Sequence, residues 1–222
     1  GEGELKEFGL ILEPSESNEW RPVYRLLTAL VCPRPIAWVS TTSADGVHNL
    51  APFSFFNVVC AKPPTVVFCP MWSGPEAKKK DTVKNIEETG EFVIQVVSRD
   101  LAEKMNLTSC ELAAEVSEFD VAGLTTAPSR RVAPPRVAEA HAYLECKLSR
   151  IIPVGEGSGA GCMILGEVLY IEIDDDMMDG TRVSLERLQP IGRLAGSDYC
   201  GVQETFAYDR PTPEELSRPG RE

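Results

Sequence analysis

Short apolar runs separated by turn-forming residues dominate the pattern of this chain. The runs that predict β-strands lie at residues 35–40, 65–69, 92–97, 137–152 and 162–173. The first leads to the turn signal Asp45-Gly46, and another strand-like run begins at Val47. The pattern therefore predicts a protein built mainly from β-strands and their hairpins.

One of these runs shows a strict alternation of apolar and polar residues. Ala140, Ala142 and the following even-numbered positions are apolar. The odd-numbered positions from His141 to Ser149 are polar or amphipathic. This period of two is typical of a strand with one face in water, so the face that carries His141, Tyr143 and Glu145 is predicted to be exposed.

The predicted helices are short and lie between strands. They cover residues 24–31, 81–89 and 100–107, with a fourth candidate at 111–119. Asp100 and Glu103 have the spacing of a capping box. Many strands and few helices indicate a mainly β (α+β) fold, a β-barrel with short covering helices. A doubly wound parallel sheet is disfavoured, because the alternation of strand and helix does not persist.

The two ends differ from the middle. Residues 1–20 are acidic and weakly patterned, and residues 211–222 are rich in Pro, Glu and Arg. We interpret them as an N-terminal arm and a C-terminal tail around a single domain at 21–210.

Composition narrows the function. The chain has 22 Lys and Arg against 34 Asp and Glu, a net charge of −12. This charge repels phosphate backbones and anionic membranes, so nucleic-acid and membrane partners are disfavoured. No apolar run reaches the roughly 20 residues of a membrane span, and no signal peptide is recognisable, so a cytoplasmic location is expected.

The seven cysteines are scattered, with no CxxC pair, and the chain has two histidines. A zinc site of Cys and His therefore has no support. Several cysteines lie in apolar runs, which favours buried reduced thiols over a catalytic one.

Three segments carry candidate chemistry. Residues 34–41 form an apolar strand that ends in two hydroxyls, and residues 49–57 mix polar side chains with aromatic and proline rings. A flat heterocycle with one apolar and one polar edge needs that mixture. Lys78-Lys79-Lys80-Asp81-Thr82 precedes a predicted helix, and cations at a helix N-terminus indicate a phosphate site. Taken singly, the phenylalanines also fit a hydrophobic core and the lysines a solvated face.

Together these segments resemble a known family. The motifs "PRPIAWVST", "NLAPFSFFN", "KDTVKNI", "GEFVIQVV", "FDVAGLT", "LECKL", "ILGEV" and "QPIGRLAGSDY" follow one another between Pro33 and Tyr199. In this order they resemble the flavin-reductase-like family of FMN-binding split β-barrels. The similar branch includes flavoredoxin and nitrilotriacetate monooxygenase component B.

The resemblance implies a set of FMN-binding residues. Those expected at the ribityl chain or the pyrimidine edge are Ser40, Thr41 and Asn49. Those expected to line or stack on the ring are Ala51, Ser54, Phe55 and Asn57. Those expected to hold the 5′-phosphate are Lys80, Asp81 and Thr82, with Asp81 acting as a helix cap. Those expected to close the pocket are Arg193, Gly196 and Tyr199.

The resemblance also implies partners and chemistry. FMN, ranked ahead of FAD, is expected at a homodimer interface, with electrons supplied by NAD(P)H or a redox partner protein. No catalytic acid, base or nucleophile is expected, because the flavin carries the difficult chemistry. The alternatives are a non-enzymatic FMN shuttle or carrier and a flavin-free binding module.

One departure favours the shuttle. Residues 155–162 have no histidine, although family members that accept hydride from NAD(P)H often carry one nearby. His141 is a conceivable substitute, but its place in the polar alternation favours a surface or hydrogen-bonded histidine. The glycine-rich run itself is interpreted as a hairpin loop able to act as a lid, and Asp174-Asp175-Asp176 as a solvated turn.

Overall fold

The computed structural model describes residues 13–14, 19–74, 76–202 and 204–213. Most of the predicted C-terminal tail and most of the predicted N-terminal arm lie outside these residues. The first helix, α1, begins at Trp20, so the last residue assigned to the arm belongs to that helix.

A seven-stranded antiparallel sheet forms the centre of the fold. Its strands are β2 (Ala37–Thr42), β3 (His48–Phe53), β4 (Phe56–Ala61), β5 (Pro64–Phe68), β6 (Glu91–Val96), β9 (Ala142–Val154) and β10 (Gly161–Ile173). They are arranged in the order β3-β2-β6-β9-β10-β5-β4. The two edge strands, β3 and β4, are separated in the chain by Ser54 and Phe55 alone. A connection this short between opposite edges requires the sheet to curl into a barrel, which confirms the predicted fold class.

Shorter strands complete the β-structure. β1 (Arg34–Pro35), β13 (Ile191–Arg193) and β14 (Tyr199–Gly201) form a three-stranded sheet. β7 (Thr126–Ala127) pairs with β8 (Arg136–Val137), and β11 (Met178–Asp179) pairs with β12 (Arg182–Val183). The glycine-rich run joins β9 to β10 as a hairpin loop, as predicted.

Short helices within the described ranges cover the sheets. They are α1 (Trp20–Leu30), α2 (Asp81–Thr89), α3 (Ala102–Leu107), α4 (Glu118–Val121) and α5 (Leu185–Leu188). The bounds of α2 agree with the prediction. The helix predicted at 111–119 is wrong: residues 111–117 are irregular or form a turn and a bend, and α4 begins at Glu118. None of the helices within the described part of the chain is long and apolar enough to cross a bilayer.

The predicted capping box at Asp100 is also wrong. A 3₁₀ turn at Arg99–Leu101 precedes α3, whose N-cap residue is Leu101. The Asp100 carboxylate instead accepts a hydrogen bond from Ser98 Oγ at 2.5 Å.

Two apolar clusters stabilise this arrangement. Inside the barrel, Val39, Phe68, Phe92 and Ile164 are almost fully buried, and the rings of Phe68 and Phe92 are 5.5 Å apart. The second cluster lies outside the barrel and includes Trp38, Met105, Phe119, Leu124 and Ile191. Trp38 Nε1 donates to Thr108 Oγ1 at 2.9 Å, which joins the sheet to the end of α3.

The predicted wet face of β9 is wrong at Tyr143 and Glu145, which are 3% and 0% exposed. The segment between β7 and β8 covers that face. The Glu145 carboxylate accepts hydrogen bonds from the backbone N–H groups of Arg130 at 2.8 Å and Arg131 at 2.5 Å. The Arg136 guanidinium lies 4.9 Å from the centre of the Tyr143 ring. Alternation alone does not reveal a loop that covers the polar face.

All seven cysteines are free thiols, as expected. Cys146 and Cys162 are buried, and burial raises the pKa of both thiols. The prediction of burial is wrong for Cys32, Cys60 and Cys110, which are exposed.

Candidate functional site

Two adjoining cavities lie between α1, α2, α3 and the end of β3. Their volumes are about 940 Å³ and 270 Å³. Both are lined by Pro52, Ser73, Lys80, Ser109 and Glu111, so they meet along one shared boundary. Ligand pockets in proteins have volumes of about 300–1,000 Å³, so the pair has room for an organic cofactor.

The small cavity is built on the N-terminus of α2. Lys80 is the N-cap residue, and its side chain makes no capping hydrogen bond. Thr82, 2% exposed, accepts a hydrogen bond from Asn49 Nδ2 at 3.0 Å, which fixes β3 against the helix. Ala51 lies on the same strand and also lines this cavity. The backbone N–H groups of an uncapped first turn, next to a lysine, suit an anion.

The role of Asp81 as a helix cap is not found. Asp81 is the first residue of the helix proper and follows the N-cap. Its carboxylate forms an ion pair with Lys84, with Oδ1 and Nζ 2.8 Å apart. It lines the small cavity and adds negative charge there.

The shared boundary carries an ion pair that the sequence did not reveal. Glu111 Oε1 accepts hydrogen bonds from Ser73 Oγ at 2.6 Å and from Lys80 Nζ at 3.1 Å. Both donors stabilise the ionised carboxylate, so they hold the pKa of Glu111 below its usual value. The hydroxyl of Ser73 and the ammonium of Lys80 therefore already bind an anionic oxygen at this boundary.

Glu118 is a second residue that sequence reasoning missed. It is 7% exposed and lines the small cavity, and its Oε2 accepts a hydrogen bond from the backbone N–H of Leu50 at 2.9 Å. Burial raises the pKa of this carboxyl despite that hydrogen bond. The bond holds β3 between Asn49 and Ala51.

Arg34 organises the wall of the large cavity. It is 6% exposed, and its guanidinium donates to the carbonyl oxygens of Thr28 at 2.6 Å, Val31 at 2.8 Å and Leu194 at 2.9 Å. Nε lies 3.4 Å from Ser54 Oγ. One buried cation thus connects the end of α1, the segment after β13 and the connection between β3 and β4.

The late motif lies on the same wall. Arg193, Gly196 and Tyr199 all line the large cavity. Arg193 Nη2 donates to the Gly196 carbonyl oxygen at 2.5 Å, and its guanidinium lies 4.5 Å from the centre of the Tyr199 ring. The structure brings these three residues to the cavity that also contains Ser54 and Lys80.

Four predicted residues do not line either cavity. Ser40 and Thr41 are fully buried: Ser40 Oγ donates to the Pro135 carbonyl oxygen, and Thr41 Oγ1 accepts from Asn85 Nδ2. In this structure both hydroxyls bind protein groups and neither lines a cavity, so their contact with the cofactor stays a prediction. Asn57 is exposed on β4, and its Oδ1 accepts from the backbone N–H of Val58.

Phe55 is the fourth of these residues. It packs against side chains that line the large cavity but does not line the cavity itself. Its ring centre is 6.2 Å from that of Tyr24, and the Arg34 guanidinium lies 5.8 Å from it. Tyr24 and Arg34 line the large cavity themselves. Phe55 therefore supports the wall in this structure and does not form its surface.

His141 lines neither cavity. This agrees with the prediction that it is a surface or hydrogen-bonded histidine. Its Nδ1 is 2.9 Å from Asp174 Oδ2, and its Nε2 is 3.4 Å from Asp100 Oδ2. The hydrogen bond with Asp174 raises the pKa of His141. Asp175 and Asp176 lie in an exposed 3₁₀ turn. No group of acidic, Cys or His residues in the described ranges has the arrangement of a metal site.

The chain is similar to a known protein family and to several solved structures. The family described as flavin reductase like domain matches residues 29–187. Nitrilotriacetate monooxygenase component B from Bacillus cereus is 35% identical, with a TM-score of 0.85 over 91% of this chain and 100% of that chain. Pseudomonas fluorescens 2-nitrobenzoate 2-nitroreductase is 32% identical, with a TM-score of 0.79 over 92% and 97%.

A third structure bears on the fold alone. The flavin reductase with a split barrel domain from Shewanella frigidimarina is 20% identical, with a TM-score of 0.75 over 87% of this chain and 94% of that chain. These matches confirm the resemblance that the motifs indicate. The fold is that of flavin-related oxidoreductases, and the family implies flavin binding.

Proposed function

Because the chain belongs to the flavin-reductase-like family, we propose that it binds FMN across the two cavities and transfers electrons through it. The observation that carries the proposal is the N-terminus of α2. Its uncapped first turn, Lys80 and Thr82 line a small cavity that opens at Lys80 onto a large cavity with aromatic walls. A phosphate at the helix and a flat ring beyond it match that order of donors and walls.

The residues divide the work of binding. Lys80 and the N–H groups of the first turn of α2 would hold the phosphate. Asn49 holds Thr82 in place, and the Glu118 carboxylate holds the strand that carries Asn49. Arg34 fixes Ser54 at the boundary of the large cavity. When bound, FMN supplies reversible acceptance of a hydride or of single electrons.

The same residues favour negative charge on the ring. Arg34 and Arg193 place two cations on the wall of the large cavity. Cations close to a ring that gains an electron pair stabilise its anionic form and so raise its reduction potential. The small cavity has room for a phosphate group at a single helix N-terminus, which supports FMN ahead of FAD.

A homodimer is part of this proposal. Leu27 and Leu30 on α1, the C-cap residue Val31, and Val58 and Val59 on the edge strand β4 are each more than half exposed. Large apolar side chains grouped on a helix and on an open sheet edge are typical of an interface between subunits. Ser54 and Phe55 directly precede β4, so a partner at this edge would lie beside the large cavity.

Two candidate functions differ in the electron donor that reduces the flavin. A NAD(P)H-dependent flavin reductase is the first, since the family match is to flavin reductases. An electron shuttle without a nicotinamide site is the second. It is favoured by one observation: no histidine is found among the described residues that line the cavities.

Anaerobic absorbance spectroscopy separates these functions. The purified chain is loaded with FMN, freed of excess flavin, and titrated with NADH, NADPH and then dithionite. Loss of the visible flavin band with a nucleotide establishes the reductase. Loss with dithionite alone establishes a carrier with another donor, and a colourless protein that does not retain FMN contradicts the proposal.

A further inference from the structure

The large cavity is strongly cationic for a chain of net charge −12. The cations that line it are Arg21, Arg25, Arg34, Lys80 and Arg193. Among the described residues that line it, Glu111 is the one carboxylate. Positive charge concentrated in a cleft raises the local concentration of anions. The phosphate proposed above would lie in the small cavity, so it does not account for cations at the far end of the large one.

Arg21 and Arg25 differ from the other cations of this cavity in their contacts. Arg34 and Arg193 donate hydrogen bonds to backbone carbonyl oxygens, and Lys80 pairs with Glu111. By contrast, neither Arg21 nor Arg25 makes an ion pair or side-chain hydrogen bond within the described part of the chain. They lie four residues apart on α1, and like charges at this spacing repel each other and destabilise a helix. An anion bound between them would remove that repulsion.

Aromatic side chains lie on the same turns of α1. Trp20 and Tyr24 line the cavity, with ring centres 5.9 Å apart and planes at 80°. The Arg21 guanidinium is 5.0 Å from the centre of the Trp20 ring. Trp72 lines the cavity from another segment.

The glycine-rich hairpin holds the Trp20 ring in place. A Cβ atom at Gly159 would lie 2.6 Å from Trp20 Cγ, so the ring packs directly on the backbone of that residue. Gly159 also has a φ of +91°, which side-chain-bearing residues rarely adopt. The loop between β9 and β10 therefore supports the Trp20 ring. This is a role for the glycine-rich run that the proposed flavin binding does not explain.

We propose that Trp20, Arg21, Tyr24 and Arg25 form a subsite for a small aromatic carboxylate, the second ligand beside the flavin. The ring would pack on Trp20 and Tyr24, and the carboxylate would bind the guanidiniums, which match carboxylate oxygens in pairs. The two aromatic and two cationic side chains lie within two helical turns, so ring and charge must be close together in the ligand. A compact aromatic acid has that form, whereas a nicotinamide dinucleotide separates its ring from its phosphates by a ribose.

This inference deepens the proposed function by naming the ligand class of the same site. The test uses the full chain with and without FMN, and benzoate as the probe. Binding is followed by isothermal titration calorimetry and by the shift of the flavin band. Benzamide keeps the ring and removes the charge, and cyclohexanecarboxylate keeps the charge and removes the aromatic ring.

Saturable binding of benzoate, at least about tenfold tighter than that of benzamide, is expected from charge-assisted hydrogen bonds. Arg21→Gln and Arg25→Gln should each weaken benzoate binding by roughly tenfold, and any loss of FMN affinity should be smaller by that factor. Arg150→Gln is the matched control, because Arg150 is an exposed arginine of β9 that lines neither cavity. It should leave benzoate binding unchanged.

Several outcomes overturn the subsite. They are equal affinity for benzoate and benzamide, unchanged benzoate binding in both glutamine variants, and binding of NADH or NADPH at these arginines with no binding of benzoate. A chain that retains FMN and ignores benzoate contradicts the subsite and leaves the proposed function intact. A chain that binds benzoate and refuses FMN contradicts the proposed function and supports the subsite.

Discussion

Glu111 and Lys80 meet where the two cavities join, with Oε1 and Nζ 3.1 Å apart. The same carboxylate oxygen accepts a hydrogen bond from Ser73 Oγ. A phosphate at the N-terminus of α2 would need the ammonium that Glu111 now holds. Glu111 therefore competes with the proposed ligand for Lys80, and its charge also repels an incoming anion.

Replacing Glu111 by Gln is expected to strengthen FMN binding by about two- to fivefold. The variant removes a competing charge, and an exposed ion pair of this kind contributes about 0.2–1 kcal/mol. FMN affinity is measured by quenching of flavin fluorescence. Glu115→Gln is the control, since Glu115 is exposed four residues further along the chain. Weaker FMN binding in Glu111→Gln would show that the carboxylate supports the site.

Replacing Lys80 by Gln is expected to weaken FMN binding by about tenfold, because a charge-assisted hydrogen bond to phosphate is lost. Raising the salt concentration should weaken wild-type binding more than that of the variant, because salt screens the ammonium. The same fluorescence titration at two salt concentrations measures both effects. Lys147→Gln, at an exposed lysine of β9, is the control and should bind FMN as the wild type does. Equal affinities for all three proteins would place the phosphate elsewhere.

Glu118→Gln tests the buried carboxyl beside the small cavity. Burial raises the pKa of Glu118 in the folded chain, so its contribution to stability is complete below the unfolded pKa of about 4.5 and is lost as the pH rises through the folded pKa. Gln keeps the acceptor for the Leu50 N–H and does not ionise. The difference in Tm between variant and wild type should therefore move in favour of the variant from pH 4 to pH 7, as differential scanning fluorimetry would show.

A second substitution separates charge from hydrogen bonding at this position. Glu118→Ala leaves the buried N–H of Leu50 without its acceptor, which costs about 1–3 kcal/mol. It should lower Tm across the whole pH range. Equal behaviour of the Gln and Ala variants would mean that the hydrogen bond to Leu50 contributes little.

The barrel was predictable from the sequence because strands leave local signals. Apolar runs gave β2, β5, β6 and β10 to within a few residues, and the Asp45-Gly46 turn gave the hairpin between β2 and β3. The predicted helix at 81–89 agrees with α2, because Gly90 ends it in the left-handed conformation. These features depend on neighbours in the chain.

The site was predictable only in part, because side-chain direction depends on distant contacts. The motif around Ser40 and Thr41 indicated a flavin site, but Pro135 and Asn85 hold both hydroxyls inside the protein. No local pattern shows that residues 95 and 44 positions away supply the partners. The role of Glu118 was not predictable for the same reason, because its partner Leu50 lies 68 residues earlier in the chain.

The proposed dimer is tested by a charge on its apolar patch. Leu30 is 79% exposed on α1, so Leu30→Glu should leave the fold of the subunit intact and place a buried charge in an interface. Sedimentation velocity should show a shift from dimer to monomer, with weaker retention of FMN. Val121→Glu, at an exposed valine of α4 away from that patch, is the control and should remain dimeric. A wild-type chain that sediments as a monomer would contradict the proposed interface directly.

The bridge at His141 predicts a pH dependence of stability that is separate from the flavin site. Asp174 accepts a hydrogen bond from His141 and raises the pKa of the imidazole above its ordinary 6.5, and Asp100 faces the other ring nitrogen. A raised pKa means that the folded state binds the proton more tightly. The stabilisation is therefore complete below about pH 6.5 and is lost as the pH rises through the folded value.

Wild type should accordingly lose more stability than His141→Asn between pH 6 and pH 8.5, by an amount of about 1–3 °C in Tm. The variant cannot carry the charge, so this component of its pH dependence is absent. His48→Asn removes the other histidine and keeps the bridge, so its Tm should follow the wild-type pH dependence. If His141→Asn and wild type changed in parallel over this range, the bridge would not stabilise the connection between the 3₁₀ turn before α3 and the end of β10. Retention of FMN should be the same in both proteins at each pH, because His141 lines neither cavity.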